Sequence, residues 1–277
     1  MSTERAGPAT REPDDNPLLV VARFEGRNRL RVTGVIAVLF TLFGLMYVWL
    51  GPQMIEAGFS ELIDAMPPVV TELFGFESLE SIEGLLASEF YTLGWIVGLG
   101  GYLAYTAAGT VAGDLRDERM DTLVAAPVAR RSVLLGKYLA LLVPILVLNA
   151  VVPVVLYVAS VAIDQTLPLA DLAIVHAFSI PYLLFWSAIG LLLGVVVRRG
   201  RTAGRVALAL VFFGWLAESI ISTTDYEWLG GLSPMRYFDP SGVLVQGTYD
   251  VAGAGLLLAG AVLAVGLSQY WFQRRDL

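Results

Sequence analysis

Charged and apolar residues are segregated along this chain into long blocks. Arg31 and Glu56 bracket 24 uncharged residues, and Glu89 and Asp114 bracket another 24. Lys137 to Asp164 encloses 26, Asp171 to Arg198 encloses 26 with His176 counted as neutral, and Asp250 to Arg274 encloses 23. A helix crossing the hydrocarbon core needs about 20 mostly apolar residues, because the core is about 30 Å thick and each residue rises about 1.5 Å. Each gap therefore predicts one span. A sixth, Val206 to Thr224, is interrupted by Glu218. Its nine Val, Leu, Ile and Phe residues favour insertion by about 0.3–0.6 kcal/mol each, roughly 3–5 kcal/mol together. One acid at mid-span costs about 2.5–3.5 kcal/mol, and less near an end. Glu218 lies six residues from Thr224, so insertion is expected. Barrel strands are about 10 residues long and alternate in polarity, whereas these tracts are apolar on every face. The expected fold is all-α, a polytopic integral membrane protein with six transmembrane helices.

Six spans put both ends on one side. That side holds residues 1–31, 114–137, 198–205 and 274–277, which carry 17 of the 18 basic residues, leaving Arg236 alone opposite. Basic residues near span ends mark the cytoplasm, which predicts an N-in, C-in topology. The expected organisation is a disordered cytoplasmic lead over 1–16, an interfacial helix over 17–31, a membrane domain over 32–273 and a cytoplasmic tail over 274–277. External segments are expected at 52–88, 164–171 and 225–250. A cleavable signal has a short basic region before a 7–15-residue apolar core, and the 31-residue polar lead here does not fit one.

Composition narrows the chemistry. The chain is 56% hydrophobic and 16% charged, against about 25% charged in soluble domains. It has no cysteine and one histidine, which excludes disulfides and a metal site built from several imidazoles within one chain. No metal site and no catalytic residue are expected. The net charge is −7 and Lys137 is the one lysine. Acid excess of this kind fits a halophilic host, where surface carboxylates maintain solubility. An arginine-favouring GC-rich genome would also remove lysine. The lean of acids to the outer face, 15 against 10 inside, is what a salt-exposed surface would carry.

The polar segments differ in content. In PLLVVARFEGRNRLR (17–31), Leu18, Leu19, Ala22 and Leu30 can share an apolar stripe opposite Arg23, Arg27 and Arg31. That pattern fits an amphipathic helix in the cytoplasmic interface or a plain basic anchor. The loop 114–137, DLRDERMDTLVAAPVARRSVLLGK, has charges at helical spacing and then breaks near Pro127, because proline disfavours helical geometry in the residue before it. Two short helices returning to the membrane at Lys137 are expected. Such an elbow can dock on a soluble partner, or its arginines can serve topology alone. The loop 198–205, RRGRTAGR, reads as a lipid-facing anchor. Residues 225–250 contain Tyr226, Trp228, Tyr237, Phe238 and Tyr249 among four Gly, two of them adjacent, and two Pro. They form either an aromatic belt or a segment that dips into the membrane where protein satisfies its backbone.

No G-x-x-x-x-G-K-[ST] occurs, so the chain is not expected to hold ATP phosphates itself. H-E-x-x-H and G-x-S-x-G are absent as well. Three polar groups fall within spans: Asn149 centrally in the third, His176 near the outer end of the fourth and Glu218 in the fifth. Intramembrane ionisable groups are functional candidates. His176 and Glu218, both in the outer half, are expected either to line a pathway or to pair with each other. Otherwise Glu218 reaches the outer interface and Asn149 bonds to a neighbouring helix. Gly94, Gly98, Gly101 and Gly109 are the small residues expected to permit close helix packing.

The stretch from Glu83 to Lys137 resembles the permease subunits of export-type ABC transporters, the type-two family with six spans. The resemblance rests on Asp117, Thr122-Leu123, the apolar run Val124 to Ala126, Pro127-Val128-Ala129-Arg130 and Gly136-Lys137. GLLASEFYTLGW upstream and LSPMRYFDP (232–240) are also similar to family segments, whereas Asp121 stands where the family usually has glycine. It implies that the chain is a permease coupled to two copies of a separate ATPase subunit, which holds ATP and Mg, and paired with a second permease, the same chain or a related one. It also implies coupling through the elbow, with Arg116, Asp117, Arg119, Thr122, Leu123, Pro127, Arg130, Arg131 and Lys137 at the contact. The expected setting is the cell membrane of a prokaryote, a haloarchaeon on the halophile reading, in contact with lipid and with no nucleic acid. Two other classes remain open from the residues: an ion-coupled secondary transporter using Glu218, and a non-transporting membrane scaffold.

Overall fold

The structure, a computed structural model, describes residues 16–58, 65–67, 70–71, 81–116, 129–197 and 199–274. Helix α1 runs without interruption over Pro17–Glu56, and α2 over Ile82–Leu85. A π-helix, Leu86–Leu99, joins α2 to α3, Gly100–Arg116. Helices α4 (Arg130–Leu139) and α5 (Leu142–Ala162) follow, then α6 (Leu169–Val196) and α7 (Gly200–Ile221). Two 3₁₀ turns, Glu227–Leu232 and Pro234–Tyr237, lead to α8 (Pro240–Leu244) and α9 (Val251–Gln273). The described chain is helical throughout its regular structure.

Among the described residues, five helical stretches are long and apolar enough to cross a membrane: α1, Arg131–Ala162, α6, α7 and α9. The second charge-free tract lies in the unbroken α–π–α run from Ile82 to Arg116. Helix α6 is the central element, with 61% of its apolar window buried, against 22% for both α1 and α7. It packs on α3, α9, α7 and α5, while α1 lies along α4 and α5. The outward faces remain apolar. Val35, Val38, Leu42 and Trp49 on α1, Phe213 on α7 and Val262 and Leu263 on α9 are all exposed, as lipid-facing residues are.

The segment 17–31 is helical, as its pattern predicts, but it is not a separate element. At 40 residues, α1 is about 60 Å long, twice the hydrocarbon thickness. Arginine is a good helix former, so the change from apolar to basic residues does not end the helix. The loop at 198–205 is shorter than the charge pattern implies: α6 ends at Val196 and α7 already begins at Gly200. The third span is broken, not straight. Pro144 has no N–H to give the carbonyl of Ala140, which instead accepts from Val143 N at 3.3 Å. Proline is tolerated in the first turn of α5, where such donors are unpaired anyway. Of the external segment 52–88, residues 59–64, 68–69 and 72–80 lie outside the described residues.

The π-helix changes which side chains face inward. Its hydrogen bonds run from i to i+5, and Thr92 Oγ1 follows that register, donating to Ala87 O at 3.0 Å. The large fully buried side chains recur every four or five residues, Leu86, Phe90 with Tyr91, Trp95 and Leu99, with the small Ala87 and Ser88 buried between the first two. Phe90, Tyr91 and Trp95 thereby share one face, with edge-to-face or tilted ring contacts at 4.9–6.1 Å.

Gly94 and Gly101 permit close packing as expected, lying against Phe43 of α1 and Leu208 of α7, but the contacts of backbone on backbone fall on two other glycines. A methyl group at Gly190 would land on the carbonyl of Ala104, and one at Gly194 would lie 2.5 Å from Ala108 O. Helix α6 thus presents a G-x-x-x-G face to an Ala-x-x-x-Ala face on α3, and the backbones touch. The expected Gly94, Gly98 and Gly101 meet side chains or their own helix, and Gly109 meets nothing within 4 Å.

Candidate functional site

Among the described residues, three regions carry the polar chemistry of this fold: the stems of the 114–137 elbow, a buried cluster at the bundle centre and the segment before α9. The elbow begins where α3 ends at Arg116 and closes where α4 starts after Ala129, whose extended backbone (φ −62°, ψ 133°) caps the helix. Asp117, Arg119, Thr122, Leu123 and Pro127 lie outside the described residues. Arg116 and Arg130 are placed by their backbone, at the end of α3 and the start of α4. Arg131 is exposed on the first turn of α4.

Lys137 is placed differently from a docking residue. Its side chain is 2% exposed, and Nζ donates to Glu25 Oε1 of α1 at 2.6 Å. Spacing explains the burial: Val133, Leu134, Lys137 and Leu141 recur at helical intervals and all face inward. Glycine at 136 permits the approach, since a side chain there would collide with Val21 and with Leu18 O on α1. The other stem is held by the same helix. Arg29 Nη2 donates to Thr110 Oγ1 of α3 at 2.8 Å, and Thr110 Oγ1 in turn donates to Thr106 O. Helix α1 therefore grips both legs of the elbow, one through Arg29 and one through Glu25.

At the centre, His176 and Asn149 meet. His176 Nδ1 lies 3.0 Å from Asn149 Oδ1, and His176 Nε2 lies 3.0 Å from the Tyr91 hydroxyl. Asn149 Nδ2 donates to Ile145 O at 2.8 Å, so its carbonyl oxygen turns to α6, where Ser179 Oγ also donates to it at 2.8 Å. A neutral imidazole protonated on Nδ1 satisfies all of these contacts, giving its proton to Asn149 and accepting from Tyr91. Trp95 stacks edge-on at 4.8 Å, and its Nε1 is buried with no partner among the described residues. The cluster links the π-helix, α5 and α6 in one network. The expectation that Asn149 bonds to a neighbouring helix is met by His176 and Ser179.

Glu218 does not join His176. It lies at the outer end of α7, facing the Ser233 hydroxyl and the Arg236 guanidinium. Both Glu218 and Arg236 pack over Gly230, where a Cβ would sit 2.6 Å from Arg236 Nη1 and 2.8 Å from Glu218 Oε1. Arg236 Nη1 donates to Glu227 O at 2.6 Å. The physical reason for the separation is that His176 is enclosed by the π-helix and α5, while Glu218 can reach the polar turns outside. Arg236 is thus a charge near Glu218 that a search within the spans misses, though no ion pair joins them and Glu218 Oε2 is buried with no hydrogen-bond partner among the described residues.

The outer turns also pack inward. Met235, Phe238, Val243 and Leu244 are buried, and the Phe238 ring lies 5.6 Å from that of Tyr182. Tyr182 in turn donates to Ile96 O in the π-helix at 3.3 Å. Within 225–250, Tyr226, Trp228, Leu232 and Tyr249 are exposed, while Met235, Phe238, Val243 and Leu244 turn inward.

Residues 20–277 match the model of a family described as ABC-2 family transporter protein. No curated protein matches the chain.

Proposed function

This chain belongs to the ABC-2 transporter family, the membrane component of ABC transporters, and we propose that it is a six-span exporter permease driven by a separate ATPase. The carrying observation is the double anchorage of the elbow to α1 through Arg29–Thr110 and Glu25–Lys137. A loop whose two legs are fixed to one long helix moves with that helix as a lever. Force applied by an ATPase at the elbow would pass into α1 and α3, and from α3 across the close Gly190–Ala104 contact into the central α6.

Within this reading, Arg116, Asp117, Arg119, Thr122, Leu123, Pro127, Arg130 and Arg131 form the docking surface, and Lys137 positions it from inside. The unbroken Ile82–Arg116 run supplies the sixth span beside the five long apolar helices, and the arginine distribution supports both ends being cytoplasmic. ATP and Mg belong to the partner, present in two copies against two permeases. The cell membrane of a prokaryote living in high salt is the setting that the acid excess and the near-absence of lysine favour.

The test is co-purification. Arg130→Glu with Arg131→Glu should release the co-purifying ATPase subunit while leaving the permease in the membrane. Undiminished recovery would remove the docking claim. Ion-coupled transport is separated by a second measurement: transport that persists without ATP and stops in Glu218→Gln would replace the ATP-driven reading.

A further inference from the structure

We infer that a groove between the cytoplasmic end of α1 and the α4–α5 break is a seat for one anionic phospholipid. The groove encloses about 410 Å³. Its floor is apolar, formed by Ala22, Leu30, Leu139, Leu142 and Val143, and Arg23 and Arg27 stand on its wall. The groove lies beside the break at Ala140–Leu141, where α4 ends and α5 begins at Leu142. Gly26 lines it too, and a side chain at that position would strike Val143.

Charge argues for the occupant. Arg23 and Arg27 are one helical turn apart, so their guanidinium groups project from the same face. Both are exposed, and among the described residues neither has a carboxylate within ion-pair distance. Glu25, the acid between them, is committed to Lys137. Two unneutralised arginines beside an apolar trough complement a phosphodiester above an acyl chain, and arginine binds phosphate through a fork of parallel N–H donors.

Depth agrees with this. Leu19, Val20 and Phe24 are already exposed, but the charge-free exposed face of α1 starts after Arg31, at Val32, and Arg27 lies five residues before Val32, about 7 Å along the helix axis. That distance is the thickness of a headgroup layer. An acyl chain leaving the arginines toward Leu142 and Val143 would continue along the exposed Leu146 of α5 into the leaflet. A zwitterionic lipid would gain the same apolar contacts but leave the pair of positive charges unbalanced. This inference concerns the lipid alone and does not depend on coupling to an ATPase.

The experiment uses the full chain in nanodiscs of phosphatidylcholine containing a minority of photo-activatable phosphatidylglycerol, with adducts mapped by peptide mass spectrometry. Labelling is expected on residues 19–30 and 139–143, displaced by unlabelled phosphatidylglycerol and not by phosphatidylcholine. Arg23→Gln and Arg27→Gln should each weaken competition about fivefold, and Arg201→Gln, an exposed arginine elsewhere, should not. Ala22→Trp keeps both arginines and fills the trough, so it should also abolish the adduct. Unchanged labelling in Arg23→Gln/Arg27→Gln overturns the site. So does full labelling in Ala22→Trp, which would mean attraction by charge with no seat. Equal displacement by phosphatidylcholine would replace it with an unselective lipid contact. A thermal unfolding midpoint kept by each variant shows that the fold is intact.

Discussion

Replacing Gly190 with alanine tests the helix contact on which force transfer between α3 and α6 depends. In an isolated helix the change is favourable by about 1 kcal/mol, because glycine has the greater conformational freedom to lose. Here the new methyl group would fall on the carbonyl of Ala104, which is backbone and cannot swing away. Forcing a methylene into a packed interface costs about 1–3 kcal/mol, occasionally more, and a backbone obstacle puts this site at the upper end. The expected net destabilisation is about 1–2 kcal/mol, or about 3–8 °C in the unfolding midpoint for a chain of this size. Gly109→Ala is the matched control: nothing lies within 4 Å of its added methyl, so it should leave the midpoint unchanged or raise it slightly. Gly190→Ala with Gly194→Ala should cost less than the two changes summed, since the first already parts the helices and neighbouring sites couple. The assay is thermal unfolding of purified protein in one detergent. A midpoint for Gly190→Ala equal to or above that of the parent would refute the close-contact argument.

Other outcomes follow from the same geometry. Asn149→Leu should destabilise by about 1–3 kcal/mol, because it leaves His176 Nδ1 without its acceptor in a buried site, and thermal unfolding reads it. Tyr91→Phe removes one neutral hydrogen bond and should cost about 1 kcal/mol, seen in the same assay. Lys137→Met should cost about 1–3 kcal/mol, below the value for a fully buried pair because Glu25 is 23% exposed. It should also increase protease cutting within 117–128, and an elbow cut no faster than in the parent would argue against α1 holding that leg.

The spans were legible because charge is costly in lipid, so the uncharged gaps between Arg31 and Arg274 mark them directly. Glu218 did not hide α7, since apolar residues outweigh one acid near an end. What the pattern conceals is which face of an apolar helix turns inward. A tract apolar all round cannot announce the π register that brings Tyr91 and Trp95 together, nor the partner of His176. Two signals were present and misassigned. Gly190 and Gly194 form a G-x-x-x-G in an apolar run, a stronger packing signal than the glycines of the second span. Lys137 shares a helical face with Val133, Leu134 and Leu141, which marks it as an internal partner instead of a docking charge. The approach of Arg236 to Glu218 over Gly230 depends on a fold-back of the turns after α7 that charge patterning does not encode.

The central claim is a membrane protein whose elbow and whose Trp228 segment lie on opposite sides of the bilayer, the elbow inside where an ATPase can reach it. The chain contains no cysteine, so single cysteines can be placed without background. Arg131 and Trp228 are both exposed. With a membrane-impermeant maleimide on intact cells, Trp228→Cys should be labelled at once and Arg131→Cys only after the cells are opened. Labelling of Arg131→Cys in intact cells would contradict the topology and, with it, the proposed contact with the ATPase.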